Sequence, residues 1–136
     1  MSDKIFFDTN VLVYCYTETE PNKKAIAVSL AQSPDAWVST QVLQGLANTL
    51  RRKFGKDWAE ISRTVEEVCQ NFEVFTNQPD NLGEAIRIAN KYGYSLYDSL
   101  ILSSSLSIGC KIVYSEDMQN GQIIDEILKI VNPFLP

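Results

Sequence analysis

Short apolar runs alternate with helix-like segments along the chain, and this alternation limits the fold more than any single motif does. Runs with the length and composition of buried strands occupy residues 4–8, 36–38, 73–75, 111–114 and 130–131. After the turn residues 120–121, the pattern indicates only a short helical or irregular segment before the last strand. Alternation without an obvious hairpin predicts an α/β fold with a mostly parallel sheet, covered by helices on both faces.

The size and composition of the chain suit one domain. With 136 residues, 45% apolar and 21% charged, residues 1–136 are expected to form a single soluble unit around one core. No apolar run approaches the roughly 18 residues of a membrane span, so we predict a cytoplasmic protein without membrane contact. Cys15, Cys69 and Cys110 lack paired metal-ligand spacing and are predicted to be buried free thiols. Trp58, in an apolar-periodic context, is predicted to join the core.

The chain contains no histidine, which excludes several kinds of catalytic site. Ser-His-Asp and Cys-His nucleophilic sites, histidine-ligated zinc and histidine general acid–base catalysis all need that side chain. Any hydrolysis must therefore depend on carboxylates and a metal ion.

Charge limits how the chain could meet a nucleic acid. The 12 basic and 17 acidic residues give a net charge of −5, which opposes indiscriminate binding to a polyanion. The densest basic cluster, Arg51, Arg52 and Lys53, lies at the end of a predicted helix. This cluster is interpreted either as a contact for an RNA backbone or as a solvated helix end favoured by the helix dipole.

Three aspartates lie where apolar runs break. Asp8 closes the first strand, Asp98 opens a strongly apolar helix, and Asp117 follows the strand-like run 111–114 after two residues. Because the carboxyl ends of parallel strands face one crevice, these distant acids can converge there. Converging carboxylates offer the hard oxygen ligands that suit Mg²⁺ or Mn²⁺.

Each aspartate also has a purely structural explanation. Asp8 could cap the short helix that follows it, and Ser95 with Asp98 matches a capping box. Asp117 could belong to an ordinary turn. A shared site explains better why all three fall at the same level of the predicted sheet.

Four segments, IFFDTNVLVY, VSTQVLQGLANTLRRK, YSLYDSLILSSSLSIGC and IVYSEDMQNGQ, resemble the successive motifs of PIN-domain proteins, particularly the VapC-type toxins of toxin–antitoxin pairs. The resemblance covers nearly the whole chain in order, although residues 53–90 carry little of it. It implies a three-layer α/β/α sandwich and a metal-dependent endoribonuclease, usually dimeric and silenced by a partner antitoxin.

The resemblance also implies roles for individual residues. Asp8 corresponds to the first metal-binding carboxylate, Asp98 to the third and Asp117 to the fourth, with Asn10 and Ser115 as polar supports. We expect Asp8 and Asp98 to bind Mg²⁺ or Mn²⁺ directly, and Asp117 to hold a second ion or orient water.

The second acid of the family pattern is missing, because Gly45 stands at its position. A glycine inside a helix costs about 0.5–1 kcal/mol relative to alanine, so its presence needs an explanation. Close helix packing, natural loss of activity, and replacement by design or during cloning all remain open. If the acid is simply absent, Gly45→Glu should increase RNA cleavage.

Two other functions compete with the nuclease. A catalytically silent PIN-like binding module would also lack the second acid. A phosphotransfer domain would place an aspartate at a strand end, but it needs adjacent acids or an Asp-x-Asp motif, whereas this chain has Asp8-Thr9-Asn10.

Overall fold

The structure, a computed structural model, describes residues 3–136. Its strands are β1 Ile5–Phe7, β2 Ala36–Ser39, β3 Glu73–Phe75, β4 Ile112–Tyr114, β5 Ile123–Ile124 and β6 Leu128–Val131. Its α-helices are α1 Thr9–Leu12, α2 Pro21–Ala31, α3 Thr40–Arg52, α4 Trp58–Asn71, α5 Pro79–Tyr92 and α6 Leu96–Ile108. A 3₁₀ turn, Val13–Tyr16, extends α1.

The strands form one sheet in the order β3-β2-β1-β4-β6-β5. All neighbouring strands run parallel except β5 and β6. The central strand β1 is buried along its whole length, because helices cover both faces of the sheet. The predicted α/β class with a mostly parallel sheet is confirmed, and the architecture is a three-layer α/β/α sandwich.

Local sequence explains where the helices begin and end. Ser39 and Asp57 cap α3 and α4, since their side chains accept hydrogen bonds from free N–H groups of the first turn. Gly93 and Gly109 end α5 and α6 with φ of 80° and 87°, a left-handed conformation that costs glycine little. Capping residues and glycines visible in the sequence therefore set these helix ends.

The last part of the chain differs from the prediction. Residues after Gly121 form a strand, β5, where a helical or irregular segment was predicted, and β5 pairs with β6 as an antiparallel hairpin. Asp125, Glu126 and Ile127 connect the two strands, and Asp125 and Glu126 have φ of 50° and 63°. Positions with such φ values in hairpin turns are usually glycine or asparagine, so this turn has no clear signal in the sequence. Tyr92 and Arg87 hold the turn by hydrogen bonds to the Asp125 carboxylate.

Two predictions about buried side chains were wrong. Trp58 is 62% exposed and lies beneath the Arg51 guanidinium, which is 5.0 Å from the ring centroid, because it starts α4 on the solvent side. Cys69 is exposed, whereas Cys110 is buried and Cys15 is partly buried, and all three are free thiols. Among residues 3–136, no helix is both long and apolar enough to cross a membrane.

Candidate active site

The site starts from the register of the two central strands. Phe7 of β1 pairs with Tyr114 of β4, so the residues that follow them, Asp8 and Ser115, lie side by side at the carboxyl edge. The Asp8 N–H donates to the Tyr114 carbonyl at 3.0 Å, and the Ser115 hydroxyl donates to Asp8 Oδ2 at 2.9 Å. Both residues are buried. The parallel pairing thus places an aspartate and a serine in contact although 107 positions separate them.

Asn10 ties this edge together. Its side-chain amide donates to Asp8 Oδ2 at 3.3 Å and to Asp117 Oδ2 at 3.1 Å. Its carbonyl oxygen accepts from the Glu116 N–H at 3.0 Å. Asn10 therefore holds the loop after β4 against the start of α1, as the sequence-based role of a polar support requires.

Asp98 reaches the same region from α6. Ser95 caps this helix by accepting the Asp98 N–H at 3.1 Å, which is one half of the predicted capping box. Gln41 of α3 donates from Nε2 to the Tyr97 carbonyl at 3.0 Å, which joins the first turns of the two helices. Asp98 is thus held by its own helix cap and by its neighbour's contact with α3.

The electrostatics of the site are those of carboxylates packed together. Burial raises the pKa of Asp8 from 3.8 to about 6, the Ser115 and Thr9 hydrogen bonds oppose the rise, and the charges of Asp98 and Asp117 add to it. Burial and the charge of Asp117 also raise the pKa of Asp98. Asp8 and Asp98 therefore lie in an environment that disfavours their negative charge and would favour a cation.

Asp8, Asp98 and Asp117 line one open cleft of about 840 Å³. Its charged lining residues are Asp8, Glu20, Lys53, Asp98, Glu116 and Asp117. Of the predicted basic cluster, Lys53 lines the cleft, whereas Arg51 turns away to Trp58 and to the Lys56 carbonyl, 3.1 Å from Nη1. Arg52 is exposed and is not part of the lining.

The donor set fits a hard divalent cation in part. Carboxylate, amide and hydroxyl oxygens are suitable ligands, and Mg²⁺ commonly binds through one or two carboxylates while keeping several waters. Within residues 3–136, no three acidic, cysteine or histidine side chains stand close enough to hold one ion together. Any ion held here would therefore take fewer than three of these side chains directly and complete its coordination with water.

Gly45 lies on α3 and faces this cleft. A Cβ atom built on it would stand 2.7 Å from Thr9 Oγ1 and 2.7 Å from the Tyr97 hydroxyl oxygen. Real Cβ atoms essentially never approach so closely. The atoms nearest to Gly45 are side-chain hydroxyls and not a neighbouring backbone, so Gly45→Glu alone must displace both hydroxyl groups before its carboxylate can reach the acids.

Sequence reasoning missed Thr9, Tyr97 and Glu116, which also line the cleft. Glu116 accepts a hydrogen bond from Tyr14 at 2.8 Å and forms an ion pair with Lys23. The available signal was adjacency, since each missed residue is the immediate neighbour of one of the three aspartates.

An α/β/α sandwich with acids gathered at the carboxyl edge of its sheet defines the class of this protein, and comparison identifies the family. The PIN domain family model matches residues 5–120, and the chain belongs to the PIN-domain family. Comparison with curated protein sequences finds no match.

Solved structures with the same fold include a toxin and a toxin–antitoxin complex. The chain is 19% identical to VapC20 of Mycobacterium tuberculosis, a toxin that cleaves the sarcin-ricin loop, over 84% of this chain and 90% of that one, with a TM-score of 0.70. A toxin–antitoxin complex from Klebsiella pneumoniae gives 16% identity, coverage of 96% and 98%, and a TM-score of 0.73. VapBC2 from Rickettsia felis, bound to promoter DNA, is 16% identical over 94% of this chain and 98% of that one, with a TM-score of 0.66.

Proposed function

We propose that this protein is a metal-dependent endoribonuclease of the VapC toxin type. One observation carries the proposal: buried Asp8 shares a cleft with Asp98 and Asp117, whose charges raise its pKa. Burying an aspartate among like charges is unfavourable for stability alone, so the arrangement calls for a function. Membership of the PIN-domain family and the toxin fold support the same conclusion.

The chain would hold Mg²⁺ or Mn²⁺ through Asp8 and Asp98, with Asp117 placed for a second ion or for water. Such an ion, when bound, polarises phosphoryl oxygens and activates water for in-line attack on phosphorus. Ser115 fixes Asp8 by its 2.9 Å hydrogen bond, and Asn10 fixes Asp117 by its 3.1 Å hydrogen bond. Outer contacts of this kind typically change metal affinity about 10–100-fold.

The partners follow from charge and from the relatives. Lys53 is the one cation among the charged residues that line the cleft, and we assign it to an RNA phosphate, with Arg51 and Arg52 outside the direct contact. The relatives include toxin–antitoxin complexes, so we propose a cognate antitoxin and a homodimer in the cytoplasm.

Cleavage of RNA tests the proposal. The wild-type protein should cut members of a pool of fluorescent single-stranded and hairpin RNAs with Mg²⁺ or Mn²⁺, and not with EDTA. Asp98→Asn should abolish cleavage while the protein stays folded, because it removes a ligand charge and leaves the Ser95 cap in place.

Asp57→Asn is the matched control, since Asp57 also starts a helix but does not line the cleft. It should change stability little, because asparagine caps a helix about as well as aspartate, and it should leave cleavage unchanged. Metal-independent cleavage, or full activity of Asp98→Asn, would contradict the assignment of the site.

A catalytically silent PIN-like module is the second candidate, and the absence of a three-acid cluster within residues 3–136 favours it. Titration with Mn²⁺ separates the two functions. A nuclease site should raise the unfolding temperature at millimolar metal, because a ligand that binds only the folded state stabilises it. A silent module should show no such shift and no cleavage.

A further inference from the structure

Two hydroxyl groups occupy the space beside Gly45. Thr9 Oγ1 and the Tyr97 hydroxyl oxygen each lie 2.7 Å from the position of a Cβ atom on Gly45. Any other residue at 45 would have to push one or both away, because ordinary contacts of a Cβ are 3.4–4 Å. Gly45 is thus the residue that admits the Tyr97 hydroxyl to this part of the cleft.

Tyr97 is held in place but is not part of the core. Its carbonyl accepts the 3.0 Å hydrogen bond from Gln41 Nε2, which fixes its backbone against α3. Its side chain is 50% exposed and lines the cleft together with the neighbouring Asp98. A large aromatic residue so exposed contributes only part of its possible burial energy, so packing alone does not explain its position.

The polar group beside Tyr97 is incompletely satisfied. Thr9 Oγ1 is buried and has no hydrogen-bond partner of ordinary geometry among residues 3–136. A buried hydroxyl without a partner costs about 1–3 kcal/mol and is uncommon unless a ligand or water completes it. Burial raises the pKa of Tyr97, and hydrogen bonds with the Thr9 and Gln41 side chains oppose the rise. Of this polar group only Tyr97 is half exposed, so its hydroxyl is the one that a molecule in the cleft can reach.

The cleft needs hydrogen-bond donors if it binds an anion. Its charged lining consists of five carboxylates and Lys53, and ionised carboxylates only accept hydrogen bonds. A tyrosine hydroxyl is protonated at neutral pH and donates without adding charge. Tyr97 thus offers a phosphodiester a neutral donor beside Asp98, as Asn48 and Thr49 do further along α3.

We propose that Tyr97 contacts the substrate, its hydroxyl donating a hydrogen bond to a non-bridging oxygen of the RNA phosphodiester, and that Gly45 is required for this contact. The proposal rests on the nuclease function proposed above and adds a residue to it. Because Gly45 has no side chain, the space beside it is free for the Tyr97 hydroxyl, a neutral hydrogen-bond donor. Restoring a side chain at 45 would then remove a substrate contact.

Tyr97→Phe tests the contact, because it removes only the hydroxyl. With Ca²⁺ in place of Mg²⁺ to slow turnover, the affinity for a fluorescent RNA hairpin should fall about tenfold, the effect of losing a hydrogen bond to a charged group. Single-turnover cleavage in Mn²⁺ should fall by at least the same factor. The unfolding temperature and the Mn²⁺-induced thermal shift should not change.

Tyr92→Phe is the matched control, since the Tyr92 hydroxyl bonds to Asp125 on the β5–β6 turn and Tyr92 does not line the cleft. It should leave RNA affinity unchanged. Equal RNA affinity and cleavage for Tyr97→Phe and wild type would overturn the Tyr97 proposal while leaving the nuclease intact. If wild type neither binds nor cleaves RNA, both proposals fail together.

Gly45→Ala tests the second half of the proposal in a double-mutant cycle with Tyr97→Phe. Its methyl group should weaken RNA binding in the wild-type background, because it displaces the tyrosine hydroxyl. The loss should be at least about threefold smaller in the Tyr97→Phe background, since that hydroxyl is already absent. Equal losses in the two backgrounds would show that Gly45 does not act through Tyr97.

Discussion

Replacing the buried aspartate by its neutral isostere should stabilise the metal-free protein. Asp8 is 3% exposed, and burial among acids raises its pKa from 3.8 to about 6. The ionised side chain is therefore less favourable in the folded protein than in the unfolded chain at neutral pH. Asp8→Asn removes this cost, because asparagine carries no charge at any pH.

The size of the effect follows from the pKa shift and the hydrogen bonds. A shift of about two pH units corresponds to roughly 3 kcal/mol of destabilisation above pH 6. An asparagine can still accept from the Thr9 N–H, but its Nδ2 would replace Oδ2, which now accepts from the Asn10 amide and from the Ser115 hydroxyl. Losing these two bonds costs about 1–2 kcal/mol, so the net gain is about 1–2 kcal/mol.

The dependence on pH gives this prediction its signature. Because the folded pKa lies above the unfolded value, the wild-type protein has its full stability below about pH 3.8 and loses it as pH rises through about 6. Asp8→Asn should therefore be the more stable protein near pH 7.5. Its advantage should vanish near about pH 4, where wild-type Asp8 is mostly protonated when folded.

Urea unfolding in EDTA over this pH range measures the difference in stability between Asp8→Asn and wild type. At neutral pH, adding Mn²⁺ in place of EDTA should make wild type the more stable protein. The cation would stabilise wild type and not Asp8→Asn, since only the aspartate binds it. A variant that is less stable than wild type at neutral pH without metal would refute the reasoning. The helix cap, and not the charge, would then dominate at this position.

Three further changes probe other parts of the structure. Ser115→Ala should raise the pKa of Asp8 further in an NMR titration and weaken Mn²⁺ binding about tenfold, because the serine hydroxyl stabilises the ionised carboxylate. Lys53→Ala should reduce the slope of log affinity for RNA against log salt by about 0.7–1, whereas Arg51→Ala should not. Asp125→Asn should lower stability at neutral pH but not in acid, since an arginine hydrogen bond lowers the Asp125 pKa and that stabilisation is lost as pH falls through it.

Much of the fold could be predicted because its determinants are local. Helix starts and ends depend on caps such as Ser39 and on glycines such as Gly109, and these signals lie within a few residues of each boundary. The parallel sheet follows from alternation, and the meeting of Asp8 and Ser115 at one edge follows from the parallel sheet. The β5–β6 hairpin could not be predicted, since its turn is held by contacts from α5 that are distant in sequence.

The sequence alone determined the order of elements and the residue types at the carboxyl edge, because both depend on burial patterns and caps that repeat along the chain. Only the tertiary structure decided what Gly45 does, since the hydroxyls beside it come from α1 and α6, 36 and 52 positions away. It also separated Arg51, in the last turn of α3, from Lys53, the residue just after the helix, because the two point to different surroundings. The orientation of a helix about its own axis decides which side chains face the cleft and which face solvent. That orientation depends on contacts with the rest of the fold, which the sequence does not show.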